Sequence, residues 1–471
     1  MDLAGPPRAA SRGGAELNPA IFREYDIRGV AEHDFDADFA RRLGLAVGTL
    51  AQERGGRVLS VGRDCRLTSD RYAEALRAGL TETGIEVIDV GVCPTPLVYF
   101  SIFAWEFDGG IQITGSHNPS DYNGFKITLG RESLHGEQIQ DVRRRIEAGR
   151  FARGAGRVTP RPVIPPYQDY VVANIARLAR PIRVVVDAGN GTAGPVAPSI
   201  YRRIGAEVTE LFCDMDGRFP NHHPDPTVPE NMAQLIEAVR ERGAEVGIAF
   251  DGDADRIGVV DAHGRIIWGD ELLVLYARDV LERNPGAVIV SEVKCSQRLY
   301  DDIAARGGRG LMWKAGHSLL KAKMKETGAL LGGEMSGHIF FKERYFGYDD
   351  GIYAGARLLE ILARTGRTVD ALLADLPPSH STPEIRIDCP DDVKFEVANR
   401  VRDGFRAEGR DIIDVDGVRV RFPHGWGLLR ASNTQPVLVM RFEAEAPAQL
   451  REYQATVERA VADARSAVEG S

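Results

Sequence analysis

Short apolar runs recur along the chain, and each ends in small or polar residues before a segment with helical periodicity begins. The runs are RVLSVGRD at 57–64, RVVVDAGNGTAG at 183–194, EVGIAFDGDADR at 245–256 and AVIVSEVKC at 287–295. Strands that alternate with helices in this way predict parallel α/β sheets. Because ligands collect beyond the carboxyl ends of such strands, we expect the loops after these runs to carry the function.

Breaks in composition divide the chain into four predicted units. Proline-rich stretches at 154–166 and 375–384 are typical of linkers, and a softer boundary falls at DAHGR, 261–265. After 384 the pattern changes to the strands EIRID, GVRVRF, WGLLRAS and VLVMRFEAE, followed by a helical C-terminus. Strand, glycine-bearing loop and helix recur before that point. We therefore predict three related mixed α/β domains at 1–160, 161–262 and 263–377, and a C-terminal α+β domain at 378–471.

Length, charge and cysteine usage narrow the class of protein. A chain of 471 residues has room for three or four domains at about 150 residues each. Its apolar runs are too short to span a bilayer, and a net charge of −9 argues against a nucleic-acid partner. The segment 1–20 lacks the apolar stretch of a secretory signal and predicts a disordered lead-in, so we expect a cytoplasmic protein. Five well-separated cysteines predict reduced thiols.

The loop ITGSHNPSDYNGFK at 113–126 places Ser116 beside His117. Ser116 could be a nucleophile, or it could be one turn residue among several, since Gly115, Asn118 and Pro119 are also turn formers. Taken alone, the loop favours the turn. Lysine is scarce in this arginine-rich chain, so Lys126 at the end of the loop is a candidate ammonium donor, as is Lys294 in SEVKC.

The loop DGDADR carries Asp251, Asp253 and Asp255 directly after an apolar strand. In extended geometry alternate side chains project to one side, and three clustered carboxylates repel unless a divalent cation neutralises them. Oxygen ligands suit Mg²⁺ best, with Ca²⁺ or Mn²⁺ behind it. An EF-hand is excluded because its sixth and twelfth positions would be Arg256 and Ala262. A solvated acidic turn remains the alternative.

Four further loops could bind an anion or a sugar. RASNTQP at 430–436 offers the Arg430 guanidinium and neutral donors for a phosphate, although an ordinary turn has the same composition. GEMSGH at 333–338 carries a carboxylate and a hydroxyl that suit sugar hydroxyl groups. KAGHS at 314–318 and YDIRG at 25–29 add cations, and each of these has an ordinary surface role as its alternative.

Taken together and in this order, TGSHNP, DGDADR, GEMSGH and RASNTQP make the chain resemble the α-D-phosphohexomutase superfamily. More narrowly it resembles the bacterial bifunctional phosphomannomutase/phosphoglucomutase group. The resemblance runs from FREYDIRG at residue 22 to FEAEAP at residue 447 and includes FPNHHPDP and GHIFFKERYFGYDDGIY. It implies four domains around a central cleft, with a mobile fourth domain.

The resemblance also implies roles for individual residues. Ser116 would be the phosphoserine, and Asp251, Asp253 and Asp255 would hold Mg²⁺ together with an oxygen of its phosphate. Glu334 and Ser336 would bind the 3- and 4-hydroxyls of the hexose. The phosphate that does not react would be held by Arg430, Ser432, Asn433 and Thr434. Further cations, aromatic groups and proton-transfer candidates of the cleft would be Tyr25, Arg28, His117, Lys126, Lys294, His317 and His338.

The implied activity is the reversible interconversion of hexose 1-phosphates and hexose 6-phosphates, an isomerase reaction. It would proceed through glucose or mannose 1,6-bisphosphate, and glucose 1,6-bisphosphate would act as activator. Residues that bind the 3- and 4-hydroxyls of the hexose need not contact the 2-hydroxyl, so we expect both mannose and glucose substrates. Hexose phosphates would be the only partners of a monomer, with a weak homodimer as the alternative.

Two positions depart from the family pattern. Ala254 replaces a common glycine of the metal loop, and Ala315 replaces a threonine before Gly-His-Ser. We expect a negative φ at Ala254 and intact metal binding. The rival functions are a phosphoglucosamine mutase, which would more typically carry SASHNP and GEQSGH, and a non-catalytic sugar-phosphate sensor. A serine hydrolase is weaker because no G-x-S-x-G elbow is present.

Overall fold

The computed structural model describes residues 17–175, 177–432 and 435–469. Within these residues the chain forms four sheets in sequence order, each packed with helices, which confirms the predicted α/β fold with a C-terminal α+β unit. The predicted lead-in falls largely on residues 1–16, outside the described residues. All five cysteines lie within the described residues as reduced thiols. No helix among the described residues is long and apolar enough to cross a membrane.

The first unit is built on a mixed seven-stranded sheet in the order β1-β5-β4-β2-β3-β7, with β6 pairing β5. Helices α1 and α2 pack closely because Gly44 and Gly79 face each other's helix: a Cβ at Gly79 would lie 2.0 Å from the Arg41 carbonyl oxygen. The elements are β1 (Ile27–Val30), α1 (Ala37–Glu53), β2 (Val58–Arg63), α2 (Ser69–Glu82), β3 (Glu86–Val92), α3 (Thr95–Ala104), β4 (Gly109–Ile113), β5 (Tyr122–Leu129), β6 (Glu132–Ser133), α4 (Glu137–Ala148) and β7 (Val158–Pro160).

The second unit carries a five-stranded sheet in the order β12-β11-β10-β8-β9. Strand β8, which pairs in parallel with β10 and β9, is a run of Val residues buried between helices, as expected for a parallel strand covered on both faces. The elements are α5 (Ile164–Ile175), β8 (Arg183–Asp187), α6 (Ala197–Ile204), β9 (Glu207–Leu211), α7 (Ala233–Arg242), β10 (Val246–Phe250), β11 (Ile257–Asp261) and β12 (Ile266–Ile267).

The third unit carries a four-stranded sheet in the order β14-β13-β15-β16. It shares one large hydrophobic core with the second unit and with α3 of the first, so that the three units pack as one body. The elements are α8 (Gly269–Arg283), β13 (Val288–Glu292), α9 (Gln297–Ala305), β14 (Arg309–Trp313), α10 (His317–Thr327), β15 (Leu331–Gly333), β16 (Ile339–Phe341), α11 (Gly351–Thr365) and α12 (Val369–Leu373).

The fourth unit is an antiparallel sheet in the order β17-β22-β21-β20-β19, with β18 also on β22, and it has its own core. Two helices, α13 and α14, pack against this sheet and against each other. The elements are β17 (His380–Ser381), β18 (Ile385–Asp388), α13 (Lys394–Ala407), β19 (Ile412–Ile413), β20 (Val418–Phe422), β21 (Gly425–Ala431), β22 (Val437–Ala444) and α14 (Pro447–Glu469).

The first three sheets repeat one strand pattern. In each, a central strand pairs in parallel with a strand on either side, and one of these two continues into an antiparallel hairpin partner. The equivalent orders are β3-β2-β4-β5, β9-β8-β10-β11 and β14-β13-β15-β16. The hairpin loops β4–β5, β10–β11 and β15–β16 carry the serine, aspartate and GEMSGH sequences. Three loops singled out separately in the sequence are therefore one structural position repeated three times.

Candidate functional site

The three equivalent loops converge on one buried cluster. Ser116 Oγ of the first unit donates a hydrogen bond of 2.7 Å to Asp251 Oδ2 of the second. Lys126 Nζ, from β5, donates to Asp253 Oδ2 at 2.7 Å and also to Asp255 Oδ2. On the other side His338 Nε2 of the third unit lies 3.2 Å from Asp255 Oδ1. The carboxylates of the second unit thus lie between a hydroxyl and an ammonium of the first and an imidazole of the third.

Ser116 is buried in an unusual backbone conformation. Its φ is +48°, in the left-handed region, and its amide donates to Thr114 Oγ1 at 2.8 Å. Its Oγ also lies 3.2 Å from His117 Nδ1. Burial, reinforced by the charges of Arg256 and Arg28, holds the pKa of His117 well below its usual value. A neutral imidazole therefore lies beside the serine hydroxyl near neutral pH.

The aspartate loop departs from the geometry expected from sequence. It is a turn rather than an extended segment, closed by a hydrogen bond of 3.0 Å from the Ala254 amide to the Asp251 carbonyl oxygen. The φ of Ala254 is +59°, so the expectation of a negative φ there was wrong. The turn, rather than strand alternation, brings the three carboxylates to one side.

The residues of this loop fit a hard divalent cation. Asp251, Asp253 and Asp255 are fully buried, and one oxygen of each lies within 4.8 Å of the others. Burial, reinforced by the two neighbouring carboxylates, raises the pKa of Asp251 well above its usual value. Asp253 Oδ1 is buried and receives no hydrogen bond from any described residue. A carboxylate oxygen left in this state is a suitable Mg²⁺ ligand.

The GEMSGH loop is organised around His338. Its Nδ1 lies 2.7 Å from Glu334 Oε2 and 3.1 Å from Ser336 Oγ, while Glu334 Oε1 accepts a 2.7 Å hydrogen bond from the Gly316 amide. Burial acts to raise the pKa of Glu334, but His338 outweighs it and lowers the pKa to about 2. Burial likewise acts to lower the pKa of His338, but Asp255 and Glu334 raise it to about 9. The two side chains form a buried ion pair.

Two aromatic residues extend the site from this loop towards the first unit. The His317 ring stacks on His338 with centroids 5.4 Å apart, and its Nδ1 lies 3.3 Å from Asp349 Oδ2. Tyr25 packs edge-on against His317 and donates from its hydroxyl to the Ala315 carbonyl oxygen at 2.8 Å. Residues from the first and third units therefore form one continuous wall.

The fourth unit reaches the site through Asp416. Asp416 Oδ2 accepts from Arg430 Nε at 2.9 Å and from the Ala315 amide at 3.1 Å. Arg430 and Ser432 are both buried, and the Ser432 Oγ accepts from the Gln435 amide at 3.1 Å. The other two predicted phosphate ligands, Asn433 and Thr434, lie outside the described residues.

The remaining predicted cations are anchored by ion pairs. Lys294 Nζ donates to Glu384 Oε1 at 2.9 Å and lies 3.4 Å from Glu292 Oε2. Arg28 Nη1 donates to Asn118 Oδ1 at 2.5 Å, and its other terminal nitrogen pairs with Asp26. Arg28 therefore contacts the serine loop directly, whereas Lys294 lies where the third unit meets the fourth.

Sequence reasoning missed several residues of the site. Thr95 Oγ1 donates to Asp253 Oδ2 at 2.5 Å, the Arg256 amide donates to Asp251 Oδ1 at 3.1 Å, and Arg66 donates to the backbone of the serine loop. Arg66 could have been found, because it follows the predicted strand RVLSVGRD and so belongs to a loop at the carboxyl end of a strand. Thr95 carries the same signal, because it follows the strand β3, whereas Asp416 carries no comparable local signal.

Comparison with known proteins gives the family. Four segments match the phosphoglucomutase/phosphomannomutase families: alpha/beta/alpha domain I at residues 19–153, domain II at 165–264, domain III at 268–380 and the C-terminal domain at 384–460. The phosphomannomutase/phosphoglucomutase of Pseudomonas aeruginosa is 51% identical over 92% of this chain and 94% of its own length. The phosphoglucomutase of Neisseria gonorrhoeae is 47% identical over 93% of this chain and 96% of its own length.

A solved structure agrees with these relatives. The crystal structure of a phosphoglucomutase/phosphomannomutase family protein from Burkholderia thailandensis superposes with a TM-score of 0.90 at 46% identity. It covers 96% of this chain and 98% of the other. These matches confirm the resemblance found in the motifs, and the chain belongs to the phosphoglucomutase/phosphomannomutase family of the α-D-phosphohexomutase superfamily.

Proposed function

We propose that this chain is a mutase that interconverts the 1-phosphates and 6-phosphates of mannose and glucose, with Ser116 as the phosphorylated residue. The observation that carries the proposal is the contact of 2.7 Å between Ser116 Oγ and Asp251 Oδ2. It places a hydroxyl beside three buried carboxylates that fit a divalent cation, with the neutral His117 next to it. A solvated turn serine would have none of these neighbours.

The reaction consists of two phosphoryl transfers. Phosphoserine gives its phosphoryl group to the free hydroxyl of the hexose phosphate: the Oγ–P bond breaks and a bond from phosphorus to the sugar oxygen forms. The proton of the sugar hydroxyl passes to a base, and Ser116 Oγ takes up a proton from an acid as it leaves. The bisphosphate then turns over and returns its other phosphoryl group to Ser116. His117, Lys126, Arg28 and His338 are the candidates for the proton transfers and for charge stabilisation.

The aspartate loop would hold Mg²⁺. We propose Asp251, Asp253 and Asp255 as its protein ligands, with the phosphate on Ser116 as the further one. When bound, the ion supplies positive charge to the transferring phosphoryl group, which is most of what a catalyst must provide for this transfer. Lys126, which already contacts two of the carboxylates, orients them and neutralises part of their charge.

The substrate would lie in the cleft between the four units, with most of its binding groups on the third and fourth. We propose that Glu334 and Ser336 bind the 3- and 4-hydroxyls in both orientations of the sugar, and that Arg430, Ser432, Asn433 and Thr434 bind the phosphate that does not react. Tyr25, Lys294 and His317 complete the binding surface. Four domains with boundaries at 160, 262 and 377 would contribute one loop each. Because this grip does not depend on the 2-hydroxyl, mannose and glucose are both substrates.

The test is a Mg²⁺-dependent isomerisation assay, primed with glucose 1,6-bisphosphate, on mannose, glucose and glucosamine 1-phosphates. We expect comparable rates on mannose and glucose, which Ser116→Ala abolishes and chelation of Mg²⁺ suppresses. Ser120→Ala removes an exposed hydroxyl from the same loop and is the matched control, with an expected rate near that of the unaltered protein. Dominant turnover of glucosamine 1-phosphate would move the assignment to a phosphoglucosamine mutase, and no turnover would favour a sensor.

A further inference from the structure

Arg66 contacts the serine loop with its entire guanidinium group. Its Nη2 donates to the carbonyl oxygens of Ser116 at 2.8 Å and Asn118 at 2.6 Å, and its Nη1 donates to that of Tyr122 at 2.9 Å and to that of Pro119. Its Nε donates to Asp64 Oδ2 at 3.1 Å. A guanidinium has five N–H donors, so each of them is used, and four of the five fix the backbone of one loop.

The surroundings of Arg66 leave it no freedom to move. Its side chain is fully buried, and Asp64, which pairs with it, also accepts hydrogen bonds from Ser69 Oγ at 2.5 Å and from the Gly115 amide at 3.2 Å. The ring of Phe219, which belongs to the second unit, covers the guanidinium at 5.1 Å. The first unit therefore holds Arg66 through hydrogen bonds, and the second unit packs against its guanidinium group through Phe219.

The backbone of the serine loop depends on this contact. Ser116 has a φ of +48°, a conformation that costs free energy for a residue with a side chain and persists only where the surroundings enforce it. The neighbouring Gly115 is required for the approach, since a Cβ there would lie 2.6 Å from the guanidinium carbon of Arg66. Without the four hydrogen bonds, Ser116 would relax and its Oγ would leave Asp251.

We propose that Arg66 is a positioning residue for phosphoryl transfer, which holds Ser116 in its left-handed conformation so that Oγ faces the aspartate loop. The inference rests on the proposed function, and it adds a residue that touches neither substrate nor reacting atoms. Because the proposed sugar and phosphate contacts come from other loops, loss of Arg66 lowers kcat and leaves KM nearly unchanged. Because Phe219 packs on Arg66, the position of the Arg66 guanidinium also depends on how the second unit packs on the first.

The experiment compares Arg66→Lys with Arg357→Lys. Arg357 is an equally buried arginine of the third unit that pairs with Asp279 at 2.8 Å, away from the site. Lysine keeps the charge but cannot reproduce the planar fork. We expect R66K to lower kcat about 100-fold or more with KM within about threefold, since a displacement of about 1 Å at a reacting group has this effect. R357K should lose thermal stability without this loss of kcat.

Two further readouts separate positioning from a merely structural effect. In ³¹P NMR, phosphoserine in R66K should show a shifted or multiple resonance, while R357K keeps the single resonance of the unaltered protein. Equal kcat in R66K and R357K, or a rise in KM at unchanged kcat, would overturn the proposal. If R66K is not recovered folded, Phe219→Leu decides: a lower kcat at unchanged KM supports the proposal, and an unchanged kcat overturns it.

The outcome for the unaltered protein distinguishes this inference from the proposed function. If the unaltered protein turns over no hexose phosphate and carries no phosphate on Ser116, the proposed function has failed, and the role of Arg66 in transfer fails with it. If the unaltered protein is active and R66K matches it in kcat, only the inference about Arg66 has failed.

Discussion

Ser116 and Ala254 both occupy the left-handed backbone region, although neither is a glycine. For a residue with a Cβ this conformation costs about 1–2 kcal/mol. At Ala254 two backbone hydrogen bonds enforce it: the Ala254 amide donates to Asp251, and its carbonyl oxygen accepts from the Gly351 amide at 3.1 Å. The conformation is therefore fixed by the third unit as well as by the loop, and strain is stored beside the carboxylates.

Replacing Ala254 with glycine should cost much less than the same change in a strand. Ala254→Gly and Ala249→Gly each remove one buried methyl group, worth about 0.8 kcal/mol, and each adds freedom to the unfolded chain. Only Ala254→Gly also relieves the left-handed strain of about 1–2 kcal/mol. We expect A254G to be more stable than A249G by about this amount. Denaturant unfolding of both variants measures the difference, and equal stabilities would refute the strain argument.

The strands and the loops that follow them could be predicted from the sequence. Each strand is recognised by its β-branched residues, and the polar residues after it mark where it ends. That the three loops meet could not be predicted from the strand pattern, because they belong to three different sheets and converge only through the packing of the units. The turn at Ala254 and the contacts of Arg66 could not be predicted, since they depend on Gly351 and Phe219, which are distant in sequence. Asp416 is a similar case, because its partner Ala315 belongs to another unit.

Strand β13 ends in Glu292, whose carboxylate is buried and has one oxygen that accepts no hydrogen bond from the described residues. Glu292 Oε1 accepts a 2.8 Å hydrogen bond from the Met335 amide, whereas Oε2 receives none from the described residues. Lys294 lies 3.4 Å from Oε2 but is closer to Glu384, whose pKa it lowers to about 2. Burial therefore dominates at Glu292 and raises its pKa to about 7. The Glu292 carboxylate therefore takes up a proton when the protein folds near neutral pH.

Glu292→Gln should flatten the dependence of stability on pH. In the folded state Glu292 retains its proton up to about pH 7, but in the unfolded state it loses the proton near pH 4.5. The contribution of Glu292 to the free energy of unfolding is therefore fully present below pH 4.5. It is lost as pH rises to 7, by at most about 1.4 kcal/mol per pH unit. We expect E292Q to gain stability relative to the unaltered protein over this range. Urea unfolding at pH 5 to 8 measures it.

The control for this experiment is Glu282→Gln, which alters an exposed glutamate of α8. E282Q should keep the pH dependence of the unaltered protein. Parallel stability curves for E292Q and the unaltered protein would show that Glu292 is ionised in the folded state, contrary to the prediction.

In the whole molecule, the fourth unit is attached to the third through two buried arginines. Arg419 Nη1 donates to the carbonyl oxygens of Val293 and Cys295, both at 2.7 Å, and Arg441 donates to that of Lys294 between them. Trp426 packs against both guanidinium groups, with Arg419 Cζ 3.7 Å from its ring centroid and Arg441 Cζ 5.8 Å. The backbone around Lys294 is thus held by the fourth unit.

The fourth unit is less closely packed where the first unit faces its residues 391–395. A cavity of about 470 Å³ separates them, and it is lined by residues that include Phe22, Arg23, Glu24, Lys394 and Phe395. The fourth unit therefore has a packed contact with the third unit at Trp426 and a cavity between it and the first unit. We therefore expect motion of the fourth unit to be controlled at Trp426.

Trp426→Ala should release the fourth unit while the other three stay folded. Truncation of a buried tryptophan costs about 3–5 kcal/mol, and here the loss falls on the contact between units. Since proteolysis tracks the population of the open form, cleavage in the segment 374–379, which joins α12 to β17, should become at least about tenfold faster. Trp105→Ala is the matched control, because Trp105 also has an arginine, Arg161, 3.7 Å from its ring but lies away from the fourth unit. Equal cleavage rates in the two variants would mean that the attachment does not depend on Trp426.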